Sequence, residues 1–456
     1  ANRSGQELLR IGRGISMATG SNRHYRVCVV GSGTHFLSGV SYYTIRLANA
    51  LAGSHEVSAI LMRRLLPTRF YPGRQRVGSK LTTLQFDRTV SAFDGVDWYW
   101  VPSLAKAIAF LIRQRPQFVV MQWWTGTVLH SYLALALAAR AIGARVLIEF
   151  HEVQDTGEAR LLVARSCVAL LAPLLVRLAS GFIVHSEYDR VRLSDRYRIN
   201  AKPVAAIPHG PYDHYSADRD GVGQRQAPET CCNLLYFGVI RPFKGLEDLL
   251  VAFNTLPQEE IGNYWLTIVG ETWEGWTVPN DLIASSPYRD RITFVNRYVN
   301  DEEVASFFAL ADAVVLPYHR SSASGPLHIA MSHGLPVVVT SVGGLTEAVA
   351  GYEGVILVPP RDPGALQRAL LALPNLRGRR FADPHSWSPM IRLASGLANP
   401  GEQVRYATER DRQPALLSGR APTTVVLPDN DWLQDKAAGG LYIADWDLRH
   451  WGPGAV

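Results

Sequence analysis

The stretch NLLYFGVIRPFKGLEDLLVAF, residues 233–253, places a strand, a turn and a helix in immediate succession. Its first residues are mostly apolar and end at Gly238, a loop then presents Arg241 and Lys244, and Gly245 opens a helical pattern. The apolar face of that pattern consists of Leu246, Leu249, Leu250 and Phe253. A strand, a glycine turn and a helix form the unit from which doubly wound α/β domains are built.

The same unit recurs on both sides of this stretch. Near the start of the chain, residues 25–30 run into Gly31-Ser32-Gly33, and a helical pattern follows at 39–52. The other strand-like runs lie at 55–62, 118–122, 144–150, 181–186, 265–270, 291–295, 313–318 and 335–340. We therefore predict an α/β fold with two tandem Rossmann-like, doubly wound domains that face a central cleft.

A turn-rich stretch at 208–230 separates the two series of strands. The first twenty residues lack the apolar core of a signal peptide, and Met17 would make a natural start, so we expect a disordered or non-native extension there. The predicted parts are this extension, a first domain, a second domain, a crossover helix and a tail of unclear structure, at 1–20, 21–207, 208–385, 386–400 and 401–456.

Composition narrows the class of protein. The chain has 456 residues, of which 47% are hydrophobic and 19% charged, so it can build two cores and is too apolar to be disordered. Its four cysteines show no CxxC spacing, which argues against a disulfide framework or a zinc knuckle. The apolar stretch 161–184 is interrupted by Arg165 and Arg177, and the uncharged run between them is far shorter than the roughly 20 residues needed to span a bilayer. We expect a cytoplasmic protein.

Charge is distributed unevenly along the chain. Residues 21–210 carry 23 Lys and Arg against 11 Asp and Glu, whereas residues 211–456 carry 20 against 28. No nucleic-acid-binding motif accompanies the basic half, so we expect no nucleic acid partner. The two remaining interpretations are a solvated basic surface and peripheral association with the inner face of a membrane. The apolar segment 159–179 is likewise either a buried crossover helix or an interfacial helix.

Arg241 and Lys244 stand directly before a predicted helix N-terminus. Two cations beside unpaired backbone N–H groups and the positive end of a helix dipole favour an anion, above all a phosphate. The alternative is a surface loop whose cations pair with nearby acids. A metal site of the DxD kind is not expected, because every Asp-x-Asp pair falls in a loop-like or tail context.

A second informative segment spans residues 317–349. Ser324, Gly325 and Pro326 precede a helix, where small residues and backbone donors allow close approach to a sugar or phosphate oxygen. Further on, Glu347 lies in the first turn of the next predicted helix. Its carboxylate either complements the helix dipole or contacts a bound donor.

These two segments, with Pro-His-Gly at 208–210 and LSGVSYYTIRLANALAGSHEV at 37–57, resemble the family 4 retaining glycosyltransferases. The resemblance covers about residues 25–400 and implies the GT-B fold, with an acceptor domain followed by a donor domain. It also implies transfer from a nucleotide diphosphate sugar, such as a UDP- or GDP-sugar, with no cofactor or essential metal. By this resemblance Gly39 faces the diphosphate, and Arg241 and Lys244 hold it.

The chain departs from the family pattern at two places. Many relatives carry two glutamates where this chain has Ser321 and Ile329, and many place a histidine at a strand end where this chain has Gln122. Gln122 and His151 are candidates for contacting the donor sugar and orienting the acceptor. His185 and His209 occupy comparable strand ends and rank below His151. Next to these, Trp123, Trp124 and Glu152 are candidates for acceptor binding, with core packing as the alternative for the tryptophans.

The leading hypothesis is a retaining, metal-independent glycosyltransferase with Arg241, Lys244, His151 and Gln122 as catalytic residues. Its acceptor is a glycan, a lipid-linked molecule or a small molecule, and its oligomeric state is left unassigned. The alternatives are a sugar-nucleotide epimerase, a phosphorylase on the same two-domain plan, and a catalytically inactive GT-B scaffold.

Overall fold

The computed structural model describes residues 24–33, 39–64, 84–97, 101–153, 162–197, 199, 202–215, 226–273 and 276–396. Within them the chain forms two parallel sheets with helices on both faces, which confirms the predicted α/β class and the tandem doubly wound arrangement. The expected N-terminal extension at 1–20 and the tail at 401–456 lie outside the described residues.

The first domain is built on seven parallel strands in the order β3-β2-β1-β4-β5-β6-β7. Their bounds are β1 Arg26–Ser32, β2 Glu56–Arg64, β3 Ser91–Asp97, β4 Phe118–Trp123, β5 Arg145–Phe150, β6 Gly181–Val184 and β7 Val204–Ala206. Its helices are α1 Gly39–Ala52, α2 Val101–Gln114, α3 Leu129–Ala141, α4 Leu162–Leu178 and α5 Glu187–Tyr197. The order reverses at β1, between β2 and β4, and such a reversal opens a crevice at the carboxyl ends of the strands.

The second domain repeats this plan with six parallel strands in the order β10-β9-β8-β11-β12-β13. The strands are β8 Cys232–Phe237, β9 Tyr264–Val269, β10 Ile292–Val295, β11 Ala313–Leu316, β12 Val337–Thr340 and β13 Val355–Val358. The helices are α6 Leu246–Asn254, α7 Val278–Ala284, α8 Asp301–Leu310, α9 Gly325–Ser332, α10 Leu345–Ala348, α11 Pro363–Ala372 and α12 Ser388–Gly396.

Each sheet is covered by apolar side chains on both faces. In the first domain, α2, α3 and α4 pack on one face, and α1 and α12 pack on the other. The last helix, α12, follows the second domain in sequence but inserts Met390 and Leu393 into the core of the first, with Trp387 just before it. The chain therefore crosses back over the cleft, and the two domains share their packing at this point.

The described part of the chain contains no helix that combines the length and the hydropathy needed to cross a membrane. The segment predicted at 159–179 forms α4, with Pro173 inside the helix. One side of α4 packs in the first core through Val168, Ala172 and Leu175. Its outer side, including Leu170, is exposed.

Candidate active site

The loop between β8 and α6 presents the two predicted cations at the carboxyl edge of the second sheet. Arg241 is extended, Pro242, Phe243 and Lys244 form one turn of 3-10 helix, and Gly245 has a φ of 64°. A side chain at Gly245 would overlap the carbonyl oxygen of Pro317, which follows the neighbouring strand β11. Only glycine fits this left-handed, crowded position, and it fixes where the cations stand.

Aromatic rings hold both cations. The guanidinium carbon of Arg241 lies 4.5 Å from the centroid of the Trp273 ring, and Nζ of Lys244 lies 3.7 Å from that of Tyr318. Burial, with the charge of Arg241 as a smaller cause, lowers the pKa of Lys244 from 10.5 to about 8, although Glu152 of the first domain acts in the opposite direction. The positive charge is thus partly desolvated, which strengthens its interaction with an incoming anion.

Glu152 connects this loop with the first domain. It follows β5 directly after His151, and its charge acts on Lys244 across the cleft. The predicted acceptor residue and the predicted diphosphate residue are therefore neighbours in space. The carboxyl edges of the two sheets therefore face each other, as the predicted cleft requires.

The start of α9 lies beside the cation loop. Ser324 caps α9 by accepting a hydrogen bond from the backbone N–H of Leu327 at 3.3 Å, and its hydroxyl lies 3.4 Å from that of Tyr318. Pro326 lies 3.6 Å from the point where a Cβ on Gly238 would stand. The Ser324-Gly325-Pro326 turn therefore borders the same site as Arg241 and Lys244.

Gly39 is the first residue of α1 in the first domain. A Cβ built on it meets no atom of the described residues within 4 Å, so the start of α1 is open at this position. The loop at 34–38 that precedes it lies outside the described residues.

Gln122 is fully buried beneath the cleft in a network of polar side chains. It accepts a hydrogen bond from the hydroxyl of Thr44 and lies 3.4 Å from a carboxylate oxygen of Glu149, which in turn accepts from Tyr43 at 2.7 Å. Burial raises the pKa of Glu149 to about 7. A Cβ on Gly31 would overlap both Gln122 and Thr44, so this glycine makes room for the network.

Three histidines end neighbouring strands above this network. His151 follows β5, His185 follows β6 and His209 comes three residues after β7, and each is less than a tenth exposed. The ring centroids of His185 and His209 are 3.8 Å apart, and that of His151 lies 5.0 Å from His185. Burial lowers the pKa of all three imidazoles, that of His185 to about 4, so they are neutral at physiological pH.

The two tryptophans at the end of β4, Trp123 and Trp124, differ in position. Trp123 is 2% exposed and packs in the core against Phe150, with ring centroids 5.1 Å apart. It is therefore a core residue and offers no face to an acceptor, because alternation along β4 directs it to the side of α3 and α4. Trp124 is half-buried and lies 6.4 Å from the ring of Tyr132.

Glu347 makes a contact between the domains. Its two carboxylate oxygens accept hydrogen bonds from the backbone N–H groups of Glu187 and Tyr188 at 2.7 and 2.9 Å. These residues begin α5 of the first domain, so Glu347 caps a helix of the opposite domain rather than its own. Each carboxylate oxygen keeps a second lone pair, so these hydrogen bonds leave Glu347 able to accept one from a bound donor as well.

Several residues of the site were not predicted from the sequence. The buried network through Tyr43, Thr44 and Glu149 was missed, since a polar residue in an apolar strand or helix gives no spacing signal. A cross-domain hydrogen bond of 2.7 Å from the hydroxyl of Tyr42 to Asp301 was also missed. Asp301 lies in the first turn of α8, where the sequence alone would explain a carboxylate by its favourable interaction with the helix dipole.

Two family models match the chain. One, described as Glycosyltransferase Family 4, matches residues 37–211, and the other, described as Glycosyl transferases group 1, matches residues 231–375. A D-inositol 3-phosphate glycosyltransferase of Geodermatophilus obscurus is 27% identical over 257 residues, which cover 52% of this chain and 56% of that protein. The chain spans about half the length of the curated relatives it matches.

Solved structures share the architecture. Sucrose-phosphate synthase of Thermosynechococcus elongatus superimposes with a TM-score of 0.62 at 19% identity, over 82% of this chain and 98% of that chain. HepE of Anabaena, in complex with UDP and glucose, gives a TM-score of 0.54 at 15% identity, over 82% of this chain and 95% of that chain. At these identities the likeness shows a common fold.

Proposed function

The chain belongs to the family 4, group 1 glycosyltransferases and has a GT-B fold, and we propose that it transfers a sugar from a nucleotide diphosphate sugar to an acceptor, with retention of anomeric configuration. The observation that carries the proposal is the cation loop: Arg241 and Lys244 stand together at the carboxyl edge of the second sheet, on a turn that Gly245 fixes. The UDP bound by the Anabaena neighbour supports a nucleotide donor.

The leaving group explains why cations are needed there. Breaking the bond between sugar and phosphate builds negative charge on the departing diphosphate. A positioned donor aimed at developing charge in a site shielded from water stabilises the transition state by about 3–4 kcal/mol. Arg241 and Lys244 supply two such groups, and we propose that they do so without Mg²⁺ or Mn²⁺.

The remaining residues divide between the two substrates. We assign Ser324, Gly325 and Pro326 to the donor sugar, because their turn borders the cation loop. His151 is assigned to the acceptor, since it lies at the carboxyl end of β5 next to Glu152. Full burial gives Gln122 a positioning role under the cleft floor, through Thr44 and Glu149, in place of direct contact with a sugar. The acceptor is a glycan, a lipid-linked molecule or a small molecule.

Peripheral membrane association is proposed for the outer face of α2, α3 and α4, which lie side by side on the first sheet. Among the side chains that the structure describes, five aliphatic ones are exposed there: Val101, Ile112, Leu137, Leu170 and Leu174. The exposed Arg113 and Arg140 add positive charge that anionic lipid attracts. We expect the wild type to sediment with phosphatidylglycerol vesicles and Leu170→Glu to do so more weakly. Equal sedimentation of the wild type and Leu170→Glu would contradict this proposal.

The test of the activity is a panel of UDP-, GDP- and ADP-sugars incubated with candidate acceptors in the absence of Mg²⁺ and Mn²⁺. We expect nucleoside diphosphate to be released only when an acceptor is present. The NMR spectrum of the product should show the anomeric configuration of the donor sugar. Conversion of the donor sugar without acceptor would indicate an epimerase. No calorimetric binding of any nucleoside diphosphate would indicate the inactive scaffold suggested by Ser321 and Ile329.

A further inference from the structure

We propose that His151, His185 and His209 form a binding site for a transition-metal ion of the zinc class. Three neighbouring parallel strands, β5, β6 and β7, each lead into one of these histidines at the carboxyl edge of the first sheet. One nitrogen of each ring can be chosen so that all three lie within 4.8 Å of one another. This site goes beyond the proposed sugar transfer: it shares His151 with the proposed acceptor site but does not depend on that assignment.

The hydrogen bonding of the three rings leaves metal-binding atoms open. Nδ1 of His185 lies 3.0 Å from the carbonyl oxygen of Ile207, so it carries the proton, and Nε2 keeps its lone pair. Among the described residues, Nε2 of His151, His185 and His209 is buried and has no hydrogen-bond partner. A hydrogen bond from the far nitrogen to a backbone carbonyl is the usual support of a metal-binding histidine.

Buried imidazole nitrogens without partners are costly in a folded protein. A shared cation would satisfy all three at once, because each neutral imidazole donates one lone pair. Zinc takes nitrogen ligands at about 2.0–2.1 Å in tetrahedral geometry, which places the ligand atoms roughly 3.4 Å apart. The nitrogen atoms within 4.8 Å of one another must therefore approach by up to about 1.4 Å, toward their common centre, when the ion binds.

The ligand type selects the ion. Three imidazoles suit Zn²⁺, Cu²⁺, Ni²⁺ and Co²⁺, whereas Mg²⁺ and Mn²⁺ prefer oxygen ligands. Glu149 borders the site, with a carboxylate oxygen 3.8 Å from Nε2 of His185, but it already accepts a hydrogen bond from Tyr43. The ion would therefore be bound by three protein nitrogens, with a fourth position left for water or a small ligand. This ion is distinct from the Mg²⁺ or Mn²⁺ that serves a diphosphate in metal-dependent transferases.

The experiment is a titration of the chelator-treated full chain, free of any polyhistidine tag, with Co²⁺ followed by visible absorption, and then displacement by Zn²⁺. One Co²⁺ per chain with the spectrum of a four-coordinate ion is expected, and His185→Gln should weaken binding at least ~100-fold. His55→Gln is the matched control, since His55 is a buried histidine directly before β2, at the amino ends of the strands of the same sheet. It should bind Co²⁺ like the wild type.

Absence of Co²⁺ binding in the wild type, or unchanged binding by a folded His185→Gln, would overturn the site. X-ray absorption of the Zn²⁺-loaded wild type tests it without any substitution that endangers folding. Three imidazole nitrogens at about 2.0 Å are expected. A zinc shell with fewer than three imidazoles would equally overturn the proposal.

Discussion

Lys244 offers a pH-dependent test of the diphosphate site. Its pKa is lowered from 10.5 to about 8, chiefly by burial and further by Arg241. Relative to water, the site therefore disfavours the charged ammonium by roughly 3 kcal/mol. Lys244 is protonated below about pH 8 and loses its charge above that value. A bound diphosphate favours the charged form and raises the pKa, so binding above about pH 8 takes up a proton.

The magnitude follows from this linkage. The dissociation constant of a nucleoside diphosphate should not change through Lys244 below about pH 8, and should then rise toward tenfold per pH unit, to roughly 30-fold at about pH 9.5. Calorimetry in buffers of different ionisation enthalpy measures both the affinity and the proton uptake. Lys244→Arg, which keeps its charge, should show neither effect. A wild-type affinity that stays constant to about pH 9.5, or the same pH dependence in Lys244→Arg, would show that the charge of Lys244 does not bind the diphosphate.

Two substitutions test the geometry around the cleft. Gly245→Ala forces a left-handed alanine against the carbonyl of Pro317, so we expect a loss of more than about 3 kcal/mol in urea unfolding. Gly378→Ala is the control, since its φ of 75° is similar but nothing crowds it among the described residues; it should lose only about 1 kcal/mol. Glu347→Ala removes both hydrogen bonds to α5 and should enlarge the radius of gyration in small-angle scattering, unlike the exposed control Glu353→Ala. If Gly245→Ala unfolds with the wild-type free energy, the crowding at Gly245 is wrong. If Glu347→Ala keeps the wild-type radius of gyration, Glu347 does not hold the two domains together.

The strands in the interior of the two sheets were predicted from the sequence, whereas of the four edge strands only β10 was predicted and β3, β7 and β13 were not. The helix predicted at 39–52 has the observed bounds of α1, and the apolar runs before each glycine turn became β1, β8 and β9. By contrast β3, with sequence SAFDGVD, and the three-residue β7 were missed. Both lie at the margins of the first sheet, where one side is unpaired, so neither needs the continuous apolar run that marks a central strand.

The candidate site was partly predictable for a similar reason. Arg241, Lys244 and Gly245 are close in sequence, so their spacing alone indicated an anion site. The contact between His185 and His209 depends on the pairing of β6 with β7, which no local pattern encodes. Trp123 illustrates a further limit: in a strand apolar on both faces, alternation separates it from Gln122 but does not say which side faces the cleft.

We propose that Arg241 and Lys244 bind the departing diphosphate and stabilise its developing charge. The most direct test of this proposal is the turnover of the accepted sugar nucleotide by Arg241→Ala and Lys244→Ala, beside Arg368→Ala, which alters an exposed arginine on α11 of the same domain. We expect kcat to fall about 100- to 1000-fold in each of the first two variants and to stay unchanged in the third. Full turnover by folded Arg241→Ala and Lys244→Ala would contradict the proposal.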